Sequence, residues 1–310
     1  MRAMQQAPQT FSEQILGFTV PSRDARGRLV RLDGLLDTIL SAHDYPPPIA
    51  HLLAETLIVG ALIGSLVKGE GSQVTLQAKG AGGAVNLLVC DYRDGDLRGY
   101  VDFNAEQLEA LGTSPGLAAF FGEGYLALTF DVVLPLGETP DGRQQTRRYQ
   151  GIVPLEGHSI SEAVESYFFQ SEQVPTLIRV AIAGTGTHFH AAGLLVQHLP
   201  EGEEGRERLH VKLDHPAWEH VAILAGSVRH AELLDPSLSL ESIVWRLFNE
   251  EDEVRAFTGH RLQRGCRCTV DHYEQILQGF SEDDRKEMRD DDGNILVDCA
   301  FCSTQFAINL

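Results

Sequence analysis

Residues 259–270 read GHRLQRGCRCTV and residues 295–302 read ILVDCAFC. These two pieces hold four of the chain's five cysteines, as Cys266-x-Cys268 and, after 30 intervening residues, Cys299-x-x-Cys302. Two close pairs of thiolates can complete the tetrahedral sulfur shell that Zn²⁺ prefers. Between them the sequence predicts a helix near 271–277, a second opening at Ser281, and an Asp292-Gly293 turn into a strand at 295–297. That order folds one pair back towards the other. A tail of about 50 residues buries too little apolar surface to fold unaided. Zn²⁺ binding contributes roughly 10–16 kcal/mol in small cysteine-rich peptides, against about 5–15 kcal/mol for the whole stability of an ordinary domain. One zinc ion held by Cys266, Cys268, Cys299 and Cys302 is therefore expected, with a tail that folds only around it. Arg261, Arg264 and Arg267 crowd the first pair, where they either offset the charge of four thiolates or form a solvated face.

Ligation alone is silent on function, because zinc ribbons are most often inert supports. The Cys-x-Cys spacing adds something. A disulfide wants Cα atoms about 4.4–6.8 Å apart, so joining residues i and i+2 demands a tight bend unlike a metal knuckle. Oxidation and zinc ligation should exclude one another. If an oxidant pairs Cys266 with Cys268 and Cys299 with Cys302, the ligands are consumed and the tail loses most of its stability.

Outward from the cysteines lie two apolar stripes at helical spacing. Leu240, Ile243, Val244, Leu247 and Phe248 draw one. A helix over 218–229 carries Val221, Leu224 and Ala225 similarly. Such stripes usually just face a core; the sharper reading is that these helices rest on the first domain only while the tail downstream holds them. The run Glu201-Gly-Glu-Glu-Gly205, after Pro200, marks an expected domain edge. Before it the chain alternates hairpins and helices. A helix covers 52–67, with Gly60 and Gly64 permitting close backbone packing. Strands at 74–79 and 85–91 flank the glycine-rich turn Gly80 to Gly83, and strands at 126–134 and 145–154 flank Thr139-Pro140-Asp141-Gly142. Ser159 and Glu162 form a capping box opening a helix that Pro175 ends, and strands follow at 177–183 and 191–198. Hairpins with interspersed helices point to an α+β fold rather than βαβ units. The expected division is a mixed N-terminal domain at 1–205, a metastable helical linker at 206–258 and a small zinc-binding domain at 259–310.

Composition agrees with a folded protein: of 310 residues, 43% are hydrophobic and 22% charged. The net charge of −19 disfavours phosphate backbones and anionic lipid as partners. The N-terminus lacks the apolar region of a secretory signal, so a cytoplasmic location is expected. In that reducing setting clustered cysteines read as ligands or redox thiols. The run 49–67 raises the membrane question, but His51, Glu55 and Thr56 interrupt it, and a buried core helix is the reading. Cys90 reads as a core thiol.

With these residues in view, the chain resembles the 33-kilodalton heat-shock protein family of redox-activated chaperones over nearly its whole length. The C-terminal order Cys-x-Cys, long gap, Cys-x-x-Cys matches the family's zinc switch. Tyr167-Phe168 with Ser171-Glu172-Gln173-x-Pro175-Thr176, and Gly193-x-x-x-Gln197-x-Leu199-Pro200, look like its motifs. Lys79-Gly80 and Arg98-Gly99-Tyr100 are similar to its first β region, where Gly83 stands in place of a frequent proline. The resemblance implies an ATP-independent holdase, not an enzyme, idle while reduced and zinc-loaded. Oxidative stress would form Cys266–Cys268 and Cys299–Cys302, release zinc, unfold the linker and yield a homodimer that holds unfolding client proteins.

Two other readings compete. A thiol-disulfide oxidoreductase would place its Cys-x-x-Cys at the opening of a helix in a βαβ unit, whereas Cys299 follows a strand. A nucleic-acid-binding zinc module is opposed by the net charge and by the acidic run Asp290 to Asp292. His188 and His190 offer two metal ligands on one strand face, yet no acidic or thiol partner stands nearby, and they read as exposed strand histidines. Gly80 to Gly83 lacks a nucleotide-binding order.

Overall fold

The computed structural model describes residues 13–112, 115–138, 144–185, 188–199 and 215–310. A hairpin of β1 (Gln14–Val20) and β2 (Ala25–Leu32) opens the fold, turning at Asp24 in the left-handed region. Helix α1 (Gly34–Leu40) and the long α2 (Pro47–Gly64) follow, the latter preceded by Pro46 and carrying prolines in its first turn, where no helical amide bond is lost. Next come β3 (Gln73–Lys79), β4 (Val85–Arg93) and β5 (Asp96–Phe103), short helices α3 (Ala105–Glu109) and α4 (Leu117–Phe121), and the hairpin β6 (Tyr125–Glu138) and β7 (Gln144–Pro154). Helix α5 (Ile160–Tyr167) leads to β8 (Thr176–Thr185) and β9 (His188–His198). Three helices, α6 (Pro216–Gly226), α7 (His230–Leu234) and α8 (Leu240–Phe248), precede β10 (Arg255–Arg261) and the two-residue β11 (Gln263–Arg264). The tail is α9 (Val270–Leu277), α10 (Glu282–Glu287), β12 (Ile295–Asp298) and β13 (Gln305–Ile308).

Two sheets enclose α2. Their orders are β10-β1-β2-β9-β8 and β11-β5-β4-β3-β6-β7, with a separate β12-β13 hairpin in the tail. Apart from the short parallel contact of β11 with β5, the strands pair antiparallel, which is the expected α+β character. Helix α2 touches strands of both sheets and is buried nearly all round, as a uniformly apolar helix must be. It is the described helix long and apolar enough to cross a membrane by length, yet 78% of it is buried inside the fold. Its glycines have a steric reason: a Cβ on Gly60 would stand 2.4 Å from the Cys90 sulfur, and one on Gly64 would stand 2.2 Å from the Tyr92 ring. Cys90 is a fully buried core thiol whose pKa is pushed well up by burial, then by Asp91.

Away from its β10 edge, the first sheet is covered on both faces. One face meets α2; the other, through Phe18, Val20, Leu29, Leu194 and Val196, meets Val221 and Ala225 of α6 and Ile243, Val244, Leu247 and Phe248 of α8. Burial of a few large side chains of this kind stabilises by about 1.5–3 kcal/mol each. A charged residue also joins this interface. Arg31 of β2, 5% exposed, donates to the carbonyls of Leu233 and Leu238 at 2.5 Å each and to that of Glu232 at 3.0 Å. It thereby caps the C-terminal end of α7 from beneath.

Some local expectations shift. Ser159 Oγ accepts from the Glu162 amide at 3.2 Å, but the Glu162 carboxylate reaches back to the His158 amide at 2.7 Å, so the reciprocal box is offset by one residue. Helix α5 ends at Tyr167, well before Pro175, because a π turn over Phe168–Glu172 and a left-handed Gln173 release the chain. Helix α6 stops at Gly226; Arg229 instead starts α7, its amide capped by the Glu232 carboxylate at 2.9 Å. The boundary expected between 258 and 259 falls inside β10, which joins the first sheet. The expected edge at 205/206 and the turn at 139–142 lie outside the described residues.

Candidate metal centre

Each cysteine pair is aimed by a backbone device. Gly265 is pinned to β5: its amide donates to the Leu97 carbonyl at 2.9 Å, and a Cβ there would lie 2.5 Å from Asp96. Cys266 and Cys268 follow directly. On the other side, the β12-β13 hairpin pairs Ile295 with Ile308 and Asp298 with Gln305, leaving Cys299 and Cys302 in its connection. There the Cys302 and Ser303 amides both donate to the Cys299 carbonyl, at 3.2 and 2.8 Å, and the Cys299 amide donates to Thr304 at 3.0 Å. Ser303 takes a left-handed φ of 54° to close the knuckle.

The four sulfurs lie within 4.8 Å of one another. Cys266 is 3.2 Å from Cys268 and 3.6 Å from Cys299, and Cys268 is 3.4 Å from Cys302. A tetrahedron with metal–sulfur bonds of about 2.3 Å has edges of about 3.8 Å, so the cluster has the size of a four-thiolate cation shell. The thiols are free, not paired in disulfides. Cys299 and Cys302 are buried, Cys266 and Cys268 half-buried.

The electrostatics of the four thiols agree. Burial pushes the Cys266 thiol up, and burial followed by the neighbouring thiols pushes Cys268 up further. At Cys302 burial also works upward, but hydrogen bonds from the Thr304 hydroxyl and amide, and from Cys266 and Cys268, prevail and hold it at about 6. One thiolate is thus favoured and further ones are opposed, the pattern of a crowded site awaiting positive charge. A cation among the four sulfurs would remove that opposition.

The tail also docks on the body through residues around the second pair. Phe301, between Cys299 and Cys302, lies with its ring centroid 4.0 Å from the Arg98 guanidinium carbon and edge-on to Tyr100 at 4.9 Å. Arg98 is held in turn by Asp91 at 2.7 Å. Ser303 Oγ meets His43 Nδ1 at 3.0 Å. Arg267 donates to Gln73 at 2.8 Å, so its guanidinium faces the body, while Arg261 and Arg264 are exposed as a solvated face. Sequence reasoning singled out neither Phe301, His43 nor Arg31. The signal available was an aromatic between two paired cysteines, which spacing rules ignore. His188 is exposed as expected, but it does have an acidic partner: Asp37, distant in sequence, accepts at 2.8 Å from its ring and at 2.8 Å from the Phe189 amide.

Comparison with known proteins gives a consistent picture. A family model described as Hsp33 protein matches residues 13–309. The 33 kDa chaperonin of Caulobacter vibrioides is 36% identical over 313 residues, covering 98% of this chain and 97% of its own. The 33 kDa chaperonin of Pseudomonas paraeruginosa is 33% identical over 302 residues, with 96% and 92% covered. The crystal structure of the 33 kDa chaperonin of Thermotoga maritima superposes with a TM-score of 0.74 at 19% identity, covering 96% of this chain and 95% of that one. At that identity it speaks for the fold.

Proposed function

The chain belongs to the Hsp33 family, and from that premise we propose that this chaperone is a redox-regulated, ATP-independent holdase of the cytoplasm, switched by zinc at Cys266, Cys268, Cys299 and Cys302. The observation that carries the reading is the clustering of four sulfurs within 4.8 Å on a tail whose buried apolar cluster is only Leu277, Ile295 and Ile308. Bound zinc supplies the charge that keeps four sulfurs as thiolates and ties the two knuckles together.

Oxidation ends that arrangement. Pairing Cys266 with Cys268, and Cys299 with Cys302, transfers two electrons per disulfide to a peroxide, which leaves as water, and the ligand set is gone. Every pairing is within reach at these separations; the local one is what the family resemblance implies. The knuckle holding Phe301 against Arg98 and Tyr100 is then reshaped, and the segment tying α8 to the tail is no longer anchored. Release of α6 to α8 uncovers Leu194, Val196, Val221, Ile243 and Phe248. Apolar surface of that kind binds unfolding proteins and drives homodimer formation. The three-part division, with the linker as the metastable piece, belongs to this proposal.

The test joins two measurements on the full chain. Zinc is quantified before and after peroxide, and suppression of aggregation of a heat-unfolded protein is followed in parallel. One zinc per reduced chain, lost as protection appears, is expected. Metal-free reduced protein, or equal protection with and without peroxide, overturns the proposal.

A further inference from the structure

Strand β10 is held differently from the strand it pairs with. It is the outermost strand of its sheet, and six of its seven residues are exposed, whereas five of the seven in β1 are buried. Its side chains bury little, so the backbone ladder carries most of the hold. The register sets Thr258 opposite Leu16, Phe257 opposite Gly17, Ala256 opposite Phe18 and Arg255 opposite Thr19.

Besides His260, whose Nδ1 meets the Tyr92 hydroxyl at 3.0 Å, Phe257 has a built seat. Gly17 stands between Phe257 on one side and Arg28 of β2 on the other. The Arg28 guanidinium carbon lies 5.1 Å from the Phe257 ring centroid, and a Cβ on Gly17 would come within 2.3 Å of the ring. The missing side chain is what lets an aromatic ring lie flat on the sheet, a recognised way of filling an edge glycine, while the guanidinium adds a cation–π contact. The ring stays 46% exposed, so the seat is open to solvent and tolerant of what sits there.

A short strap connects this seat to the sulfurs. Leu262, 2% exposed in the main core, and the pairing of Gln263 and Arg264 with β5 are all that stand between β10 and Gly265-Cys266.

Resting on the reading that the tail comes apart on oxidation, we propose that β10 is a surrogate client. It occupies the edge of β1 in the quiescent protein, and its departure opens that edge to an extended segment of an unfolding protein that bears an aromatic side chain. A freed edge offers unpaired amides and carbonyls that pair with any extended backbone. A protein that takes many partners needs recognition of that kind. The Gly17–Arg28 seat supplies the one preference. The β5 edge covered by β11 is only two residues long and is too short to act alike.

The probe is a fluorescein-labelled peptide of residues 254–262, VRAFTGHRL, titrated into the full-length protein. It is expected to bind the oxidised, metal-free form at least tenfold more tightly than the reduced, metal-loaded form. The peptide with Phe257→Ser keeps its charge and should bind at least tenfold more weakly. Because the chain's own β10 remains tethered and competes, oxidised protein carrying Phe257→Ser should bind the original peptide more tightly still. Hydrogen exchange should show β1 amides losing protection on oxidation while α2 keeps its own. Equal binding of the two peptides, equal binding by the two redox forms, or β1 amides that stay protected after oxidation overturns the proposal. Aggregation suppression, read in the same samples, isolates the holdase reading: oxidised protein that takes the peptide but leaves a client to aggregate refutes that reading and keeps the edge.

Discussion

In the body, Cys90 lies fully buried beneath Gly60, inside a core that includes Leu53, Leu57, Leu76 and Leu88. In the tail, Cys299 is 4% exposed among three other sulfurs, and the apolar cluster beside it has three buried members, Leu277, Ile295 and Ile308. Both are buried cysteines, but one is packing and the other is the packing's substitute. A region that buries little surface must take its stability from elsewhere, and in the proposed function that source is a cation bound at the four sulfurs. Helices α6 to α8 occupy an intermediate position, borrowing the outer face of the first sheet and followed in the chain by the tail.

The largest expected effect strains that contrast directly. Chelation of the metal from reduced protein should remove on the order of 10 kcal/mol from the tail. Hydrogen exchange should show α9 and β12-β13 unprotected while α2 stays protected. A tail that keeps its protection without metal would show that its small core suffices.

Arg31→Ala probes the linker's dependence on the body. It strands the Leu233 and Leu238 carbonyls and leaves that of Glu232 with the Asp235 amide alone, which roughly 3 kcal/mol of lost charged hydrogen bonding describes. Proteolysis between 226 and 250 should speed up in reduced protein with its metal content unchanged. Unchanged cleavage would mean the apolar contacts alone hold the helices.

Phe301→Ala separates docking from ligation. Losing the contacts with Arg98 and Tyr100 should weaken the dock by about 1–2 kcal/mol. The metal-to-protein ratio should stay the same and metal loss under peroxide should quicken. Unaltered kinetics would confine the switch to the sulfurs.

The smallest effect is on pH. Burial, then the stacked His215 ring 5.0 Å away, lowers the pKa of His198 below its ordinary 6.5. The fold therefore keeps the neutral ring, and below about 6.5 the unfolded chain binds more protons than the folded one. The contribution of neutral His198 is complete above that value and is lost as pH falls through it towards the folded pKa. The melting temperature should drop more on going from pH 7.5 to 5.5 in the natural chain than in His198→Gln; equal drops would remove His198 from the acid response.

Some of this was legible locally. The stripe over Leu240 to Phe248 became α8 with its apolar side on the sheet, and Ser281 caps α10 through a reciprocal bond with Asp284. The spacing of the cysteines anticipated their meeting. Strand β10 was invisible, because RAFTGHR has no apolar alternation: its residues are exposed and its hold comes from the partner backbone. Asp37 beside His188 and Arg31 beneath α7 were invisible for a related reason, their partners lying about 150 and 200 residues away.

The sequence by itself determined the α+β character, the buried helix α2, the linker stripes and the four sulfurs, since each depends on periodicity or spacing within a few turns of chain. Only the tertiary structure decided that Phe301 seats on Arg98 and Tyr100, that Arg31 closes α7, and that β10 lines the edge of β1. Those contacts join surfaces whose proximity exists only after two sheets have closed around α2, and no local pattern encodes which distant edge a strand will meet.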